Sequence, residues 1–164
     1  MVHIRRAKEE DLIAILDIYN QGIRDRIATL ETEEKDLKYM SDWFLQRSDK
    51  YAVLTAAIEH EVAGWASLNP YSHRCAYRGV ADLSIYISRS YRGRGIGKAL
   101  LASIEKEAVD ADIHKIVLFT FPFNTLGQGL YSSMGYRQVG IFKEQGKLDG
   151  QYVDVMAMEK ILTP

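Results

Sequence analysis

The sequence predicts an α+β fold, with residues 1–164 forming a single domain. Two observations carry this expectation. Apolar residues recur with period two in some stretches and at helical spacing in others, in the order βααβββαβαββ. Between a strand-like run and a helix-like run sits a loop with three alternating glycines, Arg92-Gly93-Arg94-Gly95-Ile96-Gly97-Lys98. The length lies in the single-domain range and suffices for a sizeable core. Apolar residues at 47% and charged residues at 26% are ordinary globular values, and no repeat, low-complexity tract or linker interrupts the chain.

The elements follow in order. Residues 2–6 read as a short strand, and the acidic triplet Glu9-Glu10-Asp11 suits the start of a helix whose buried face carries Leu12, Ile15, Leu16, Tyr19 and Ile23. A second helix is expected after Thr32, burying Leu37, Met40, Trp43 and Phe44. Residues 51–58 and 62–68 read as strands of a hairpin turning at Glu59-His60-Glu61. An irregular polar and aromatic segment, 69–79, containing Pro70, precedes the alternating strand 83–88. Ile96, Leu100, Ile104 and Ala108 then recur at helical spacing. Residues 114–121 form an apolar strand, 125–134 a short helix ended by Gly135, and 136–144 another strand. Asp149-Gly150 marks a turn into the strand 152–161.

Composition removes several function classes. A net charge of −1 with a pI near 6.4 offers no electrostatic footprint for nucleic acid or an anionic membrane. Cys75 is the only cysteine, which rules out an internal disulfide and a cysteine-cluster metal site. His3, His60, His73 and His114 show no paired ligand spacing, so no metal is expected. No apolar run has the length of a signal peptide core or a membrane span, and a cytoplasmic location is expected.

The glycine loop has the architecture of a pyrophosphate cradle. Glycines let backbone come close to an anion, and the N–H groups and positive dipole end of the following helix stabilise negative charge. A dinucleotide fingerprint is excluded because Lys98 stands where its third glycine belongs, and a triphosphate loop because Arg92 lies five residues before Gly97 and Ala99 follows the lysine. What remains is Arg-x-x-Gly-x-Gly leading into an amphipathic helix.

That motif, with its flanking strand and helix, resembles the acetyl-CoA loop of the GCN5-related N-acetyltransferases, the GNAT superfamily. The element order matches that fold over essentially the whole chain. The resemblance implies a mixed, mostly antiparallel central sheet with a splayed parallel strand pair and helices on both faces. It implies acetyl-CoA held by Arg92, Gly93, Arg94, Gly95, Ile96, Gly97 and Lys98, with the backbone of Ile85 and Ile87 pairing with pantetheine and the acetyl carbonyl. The block from Asn124 through Gly127, Leu130 and Tyr131 to Gly135 and Tyr136 resembles another family signature, in which the asparagine contacts the cofactor and the tyrosine protonates the departing thiolate. Seven residues apart on a helix, Asn124 and Tyr131 would share a face; Gly127 and Gly129 would weaken that helix. Asp82, a charged residue at the edge of an apolar strand, is the candidate base for the acceptor amine.

Further blocks, among them Tyr19-Asn20, Thr29-Leu30-Glu31, Trp43-Phe44, Ala76-Tyr77-Arg78 and the run from Gly150 to Val155, are similar to the phosphinothricin acetyltransferases. This implies an acceptor of the phosphinothricin or methionine sulfoximine class and a homodimer. Such an acceptor carries acidic groups, for which Arg74, Arg78, Tyr77, Tyr71 and His73 are the candidate partners, and Glu31 is the candidate for its ammonium group. Two alternatives stand beside this one: the same fold acting on a protein N-terminus, polyamine or aminoglycoside, and an acyl-CoA-binding module without catalysis.

Overall fold

The structure, a computed structural model describing residues 1–163, has the expected order of elements. Strands β1 (His3–Arg6), β2 (Val53–Ile58), β3 (Glu61–Pro70), β4 (Val80–Ile87), β5 (Lys115–Thr120), β6 (Arg137–Leu148) and β7 (Gln151–Ile161) form one sheet, ordered β1-β2-β3-β4-β5-β7-β6. Helices α1 (Leu12–Asp25) and α2 (Leu37–Leu45) cover one face, while α3 (Ile96–Asp110) covers the other. Helix α4 (Thr125–Ser133) links β5 to β6.

Strand alternation distributes the core between the two layers. Val53 and Trp65 pack with Leu12, Ile15 and Ile18 of α1 and Met40 of α2, whereas Leu54, Ala56, Ala66 and Leu83 pack with Leu100 and Ile104 of α3. The helical stripe Ile96, Leu100, Ile104, Ala108 is wholly buried, as its spacing requires. At the corner before α1, Asp11 accepts from Arg5 Nη1 at 2.7 Å, Arg5 Nη2 at 2.9 Å and the Lys8 N–H at 2.7 Å. The Arg5 hydrogen bond holds this carboxyl below its usual range despite burial.

Three expectations need correction. Helix α2 starts at Leu37, where the Asp36 side chain accepts from the Tyr39 N–H at 2.9 Å; Leu37 is exposed, and of the four residues expected inside only Met40 is fully buried. Strand β3 continues through Asn69 and Pro70, which stand opposite Asp82 and Ala81; a proline costs no ladder bond at the last residue of a strand. Strand β4 begins at Val80, so Asp82 is an interior residue of the strand. The hairpin turn is as expected, with Glu59 and His60 both at positive φ, and so is Asp149-Gly150.

Every neighbouring pair in the sheet is antiparallel except β4 and β5. These two are parallel and paired only at Val80 with Lys115, Ala81 with Ile116 and Asp82 with Val117. Each then follows its other neighbour: β4 stays on β3 as far as Ile87, and β5 stays on β7 as far as Thr120. The sheet therefore opens as a wedge just beyond Asp82. At the closed end the Gly79 carbonyl accepts from the N–H groups of both His114, at 2.9 Å, and Lys115, at 3.1 Å.

Tyr86 of β4 is fixed from three sides. Its ring stacks on Trp65 at 5.1 Å, meets Tyr19 at 5.1 Å and lies against Gly22 of α1, where a β-carbon would sit 2.9 Å from Tyr86 Cδ1. Gly22→Ala therefore sets helix propensity, worth about 1 kcal/mol in favour of alanine, against overpacking of roughly 1–3 kcal/mol. We expect a net loss of up to about 2 kcal/mol in denaturant unfolding, and a stabilised variant would show that the Tyr86 ring has room to move.

Candidate active site

The wedge between β4 and β5 is the floor of a cleft of about 610 Å³. Gly79 directs its carbonyl toward β5. Because backbone groups alternate along a strand, Ala81, Leu83, Ile85 and Ile87 direct theirs the same way. Beyond Asp82 those groups have no strand to pair with. Two side chains lay claim to them: the Asp82 carboxyl accepts from the Leu83 N–H, and Arg92 Nε donates to the Ile87 carbonyl at 3.3 Å. Ile85 and Ile87, singled out from the resemblance, thus line the cleft with unpaired backbone on their open edge.

One end of the cleft is the glycine loop. Gly93 and Gly95 have φ near +79°, a conformation that glycine adopts without strain, and a β-carbon at either would meet nothing within 4 Å. Gly97 serves packing instead: it is helical, and a β-carbon there would lie 2.9 Å from Leu130 Cδ2 of α4. Gly95 is the N-cap of α3 and no side chain caps the helix, so its first-turn N–H groups are left for a ligand. Lys98 and Ile96 line the same end. Of the loop's arginines, Arg92 lines the cleft and Arg94 does not. Arg92 pairs with Asp25 at 2.8 Å, beside the Arg89 pair to the same carboxylate at 2.6 Å, and Arg94 lies over the Tyr91 ring at 5.3 Å, off the cleft lining.

Asn124 and Tyr131 both line the cleft, through different geometry from that expected. Asn124 is the N-cap of α4: its Oδ1 accepts from the Gly127 N–H at 3.1 Å and its Nδ2 donates to Thr120 Oγ1 at 3.4 Å. Gly127 is there to admit this side chain, since a β-carbon would lie 2.7 Å from Asn124 Nδ2, and α4 is regular through both of its glycines. Tyr131 makes an edge contact with Tyr136 at 5.9 Å. Burial pushes its phenol up to about 12, so it holds its proton at neutral pH.

Asp82 stands at the vertex of the wedge. Burial pushes its carboxyl up to about 6, against hydrogen bonds from the Leu83 N–H and the Asn69 side chain that hold it down. Asn69 is itself fixed: its Oδ1 accepts from Ser67 Oγ and Arg47 Nη2, each at 3.2 Å, and its Nδ2 donates to Ser84 Oγ at 3.2 Å. Ser84 and Tyr86 project from the same face of β4 as Asp82 and line the cleft with it, opposite Thr29, Leu30, Phe121 and Val155. Period-two spacing from Asp82 is enough to find Ser84 and Tyr86 in the sequence. Thr29, Leu30 and Val155, which arrive from a loop and from β7, fall in blocks that carry the family resemblance, but no chemistry of their own marks them as cleft residues.

The expected acceptor residues are not brought to this cleft. Arg74, Tyr77 and Arg78 are exposed in the segment between β3 and β4; Tyr77 packs edge-on against Tyr71 at 6.1 Å, and the Arg78 carbonyl accepts from Lys50 Nζ at 2.9 Å. Glu31 is exposed and paired with Lys35 at 2.9 Å. The polar composition of 71–78 reflects solvent exposure. Among the described residues no cluster of His, Cys, Asp or Glu could hold a metal, and no helix is long and apolar enough to cross a membrane.

Comparison with known proteins agrees with this geometry. The phosphinothricin N-acetyltransferase of Streptomyces coelicolor is 30% identical over 98% of this chain and 96% of its own length. The L-methionine sulfoximine/L-methionine sulfone acetyltransferase of Pseudomonas aeruginosa is 29% identical over 98% and 95%. Among solved structures, a ribosomal-protein-alanine N-acetyltransferase from Brucella melitensis superposes with a TM-score of 0.94 at 34% identity, covering 98% of this chain and 99% of that one. A GNAT superfamily phosphinothricin acetyltransferase from Sinorhizobium meliloti, solved in complex with AcCoA, gives 0.92 at 27% identity, covering 98% and 88%. The profile of the acetyltransferase (GNAT) family matches residues 13–136, a span that includes the wedge, the glycine loop and α4, and the chain belongs to that family.

Proposed function

We propose that this protein is an acetyl-CoA-dependent N-acetyltransferase acting on the α-amine of a small amino-acid-like acceptor of the phosphinothricin and methionine sulfoximine class. The observation that carries the reading is the position of Asp82. A carboxyl poised near 6 stands where the sheet parts, at the opposite end of one cleft from an uncapped helix N-terminus. The cleft fits acetyl-CoA: the backbone at Gly93, Gly95 and the α3 start suits a pyrophosphate, and the unpaired edge of β4 suits an amide-bearing arm. When bound, this co-substrate supplies the activated acetyl group. Relatives named for phosphinothricin and methionine sulfoximine support the acceptor class. The proposal carries with it the homodimer that the resemblance implies and the cytoplasmic location expected from the sequence.

In this assignment Asp82, ionised at neutral pH, takes the proton of the acceptor ammonium and so frees the amine for attack. The N–H groups on the open edge of β4 face the carbonyl oxygen as negative charge develops on it. Tyr131 keeps its proton until the sulfur departs and donates it there. Asn124 holds the start of α4 and thereby the position of Tyr131. Thr29, Ser84 and Tyr86 provide hydroxyls around the acceptor. A second reading, in which the acceptor is a protein N-terminus, is favoured by the Brucella structure; a panel of free amino acids, their analogues and N-terminal peptides separates the two by coenzyme A release.

Three outcomes check the assignment. Gly95→Val forces a branched residue to a φ of +79°, and acetyl-CoA affinity by calorimetry falls at least about ten-fold while the melt stays cooperative; unchanged affinity removes the loop from the site. Tyr131→Phe keeps the ring and lowers turnover by roughly ten- to a thousand-fold with acetyl-CoA affinity unaltered; normal turnover leaves Tyr131 as a packing residue.

Asp82→Asn abolishes the acidic limb that kcat/KM for the acceptor shows near pH 6. The same substitution stabilises the fold. Because the folded carboxyl titrates above its ordinary value of 3.8, its favourable contribution is complete below that value and lost as pH rises through about 6. The melting temperature therefore rises on substitution at pH 8 and changes little at pH 4. A gain equal at both pH values would show that burial is not what raises Asp82.

A further inference from the structure

Leu30 lies in the segment between α1 and α2, and one side of its side chain lines the cleft together with Phe121 and Val155. Its other side rests on Gly146 of β6. A β-carbon at 146 would overlap Leu30 Cδ1 outright and lie 3.1 Å from Cδ2 and 3.3 Å from Cγ. Gly146 is outside the left-handed region, so conformational freedom does not explain this glycine; the approach of Leu30 does. It stands opposite Val153 where the β6–β7 register shifts.

The base of the Leu30 segment is tied to the β6–β7 hairpin. Arg26, at a φ of 58°, donates from Nη1 to the Ile23 carbonyl at 2.7 Å and pairs through Nε with Asp149 at 2.9 Å, at the turn between β6 and β7. Leu30 follows four residues later, between the same hairpin and the cleft. With strand backbone behind it, the part-exposed Leu30 side chain yields forward, toward the cleft that it lines and the solvent beside it.

We propose that Leu30 and Gly146 form a steric gate that sets how large an acceptor side chain the cleft admits, an inference that rests on the acceptor reading above. The absence of a β-carbon at 146 lets Leu30 draw back from the floor formed by Asp82, Ser84 and Tyr86. A methyl group at 146 drives Leu30 toward that floor and shortens the space beyond the amine. The change moves the flexible end of one side chain, so it alters selectivity more than stability.

The test compares kcat/KM for two α-amines of different size, alanine and methionine sulfone. Gly146→Ala lowers the ratio for methionine sulfone over alanine by roughly ten-fold, the scale of a methyl-sized change in a pocket. Leu30→Ala shifts the ratio toward the larger acceptor. In the double variant the added methyl has nothing to push, so the effect of Gly146→Ala disappears. Gly140→Ala is the matched control: it lies in the same strand, has no atom within 4 Å of the new β-carbon, and leaves the ratio unchanged. A flat ratio in Gly146→Ala, or an effect that persists in the double variant, overturns the gate while sparing the acceptor reading. A parent enzyme that acetylates neither amine overturns the acceptor reading and the gate with it.

Discussion

The parting of β4 from β5 beyond Asp82 is the constraint on which the rest of the structure depends. The two strands begin as a parallel pair and lose contact beyond Asp82 and Val117, while each keeps its antiparallel neighbour, β3 on one side and β7 on the other. The cost is a row of unpaired backbone groups inside the protein, which elsewhere in a sheet would be a defect. Here it is confined to the facing edges of β4 and β5 and opens onto a cleft. The doubly used carbonyl of Gly79 fixes the closed end, so the wedge has a defined vertex and Asp82 a defined place in it.

Around that wedge, missing side chains shape the cleft as much as present ones do. Gly22 leaves room for the Tyr86 ring, Gly97 for Leu130, Gly127 for the Asn124 amide and Gly146 for Leu30. Each substitutes close packing between elements for a side chain of its own, and each neighbour so admitted is a cleft-lining residue. Gly93 and Gly95 differ in kind. They have open space around them and are required by backbone conformation. Two demands on glycine, proximity and positive φ, thus divide between the walls of the cleft and its anion-facing end.

The order of elements was legible because hydrophobic periodicity survives wherever one face of an element is buried, as in α1 and α3; β6 and α4, with little buried surface, were marked by the glycines that bound them. Boundaries were less legible: Asn69 and Pro70 look like loop residues and are held in β3 by their partners across the sheet. The site divided in the same way. Asp82, Tyr131, Asn124 and the glycine loop stand out in local sequence, and all but Arg94 of the loop reach the cleft. Arg74 and Arg78 were chosen for charge, and the fold leaves their segment in solvent, off the cleft lining. Leu30, Phe121 and Val155, which do line the cleft, are apolar residues from three separate places and have no pattern in common before folding.

Asp25 gives the anion-facing end of the cleft a further property. It engages Arg89 and Arg92 together, so the cation opening the glycine motif is spoken for within the protein itself. What the loop then presents is chiefly a set of neutral N–H donors aligned with a helix dipole, supplemented by the exposed Lys98. Short-range donors of this kind are screened far less by dissolved ions than a cluster of free guanidinium groups would be. Retention of a pyrophosphate-bearing molecule would consequently vary little across the ionic strengths a cell passes through under osmotic stress.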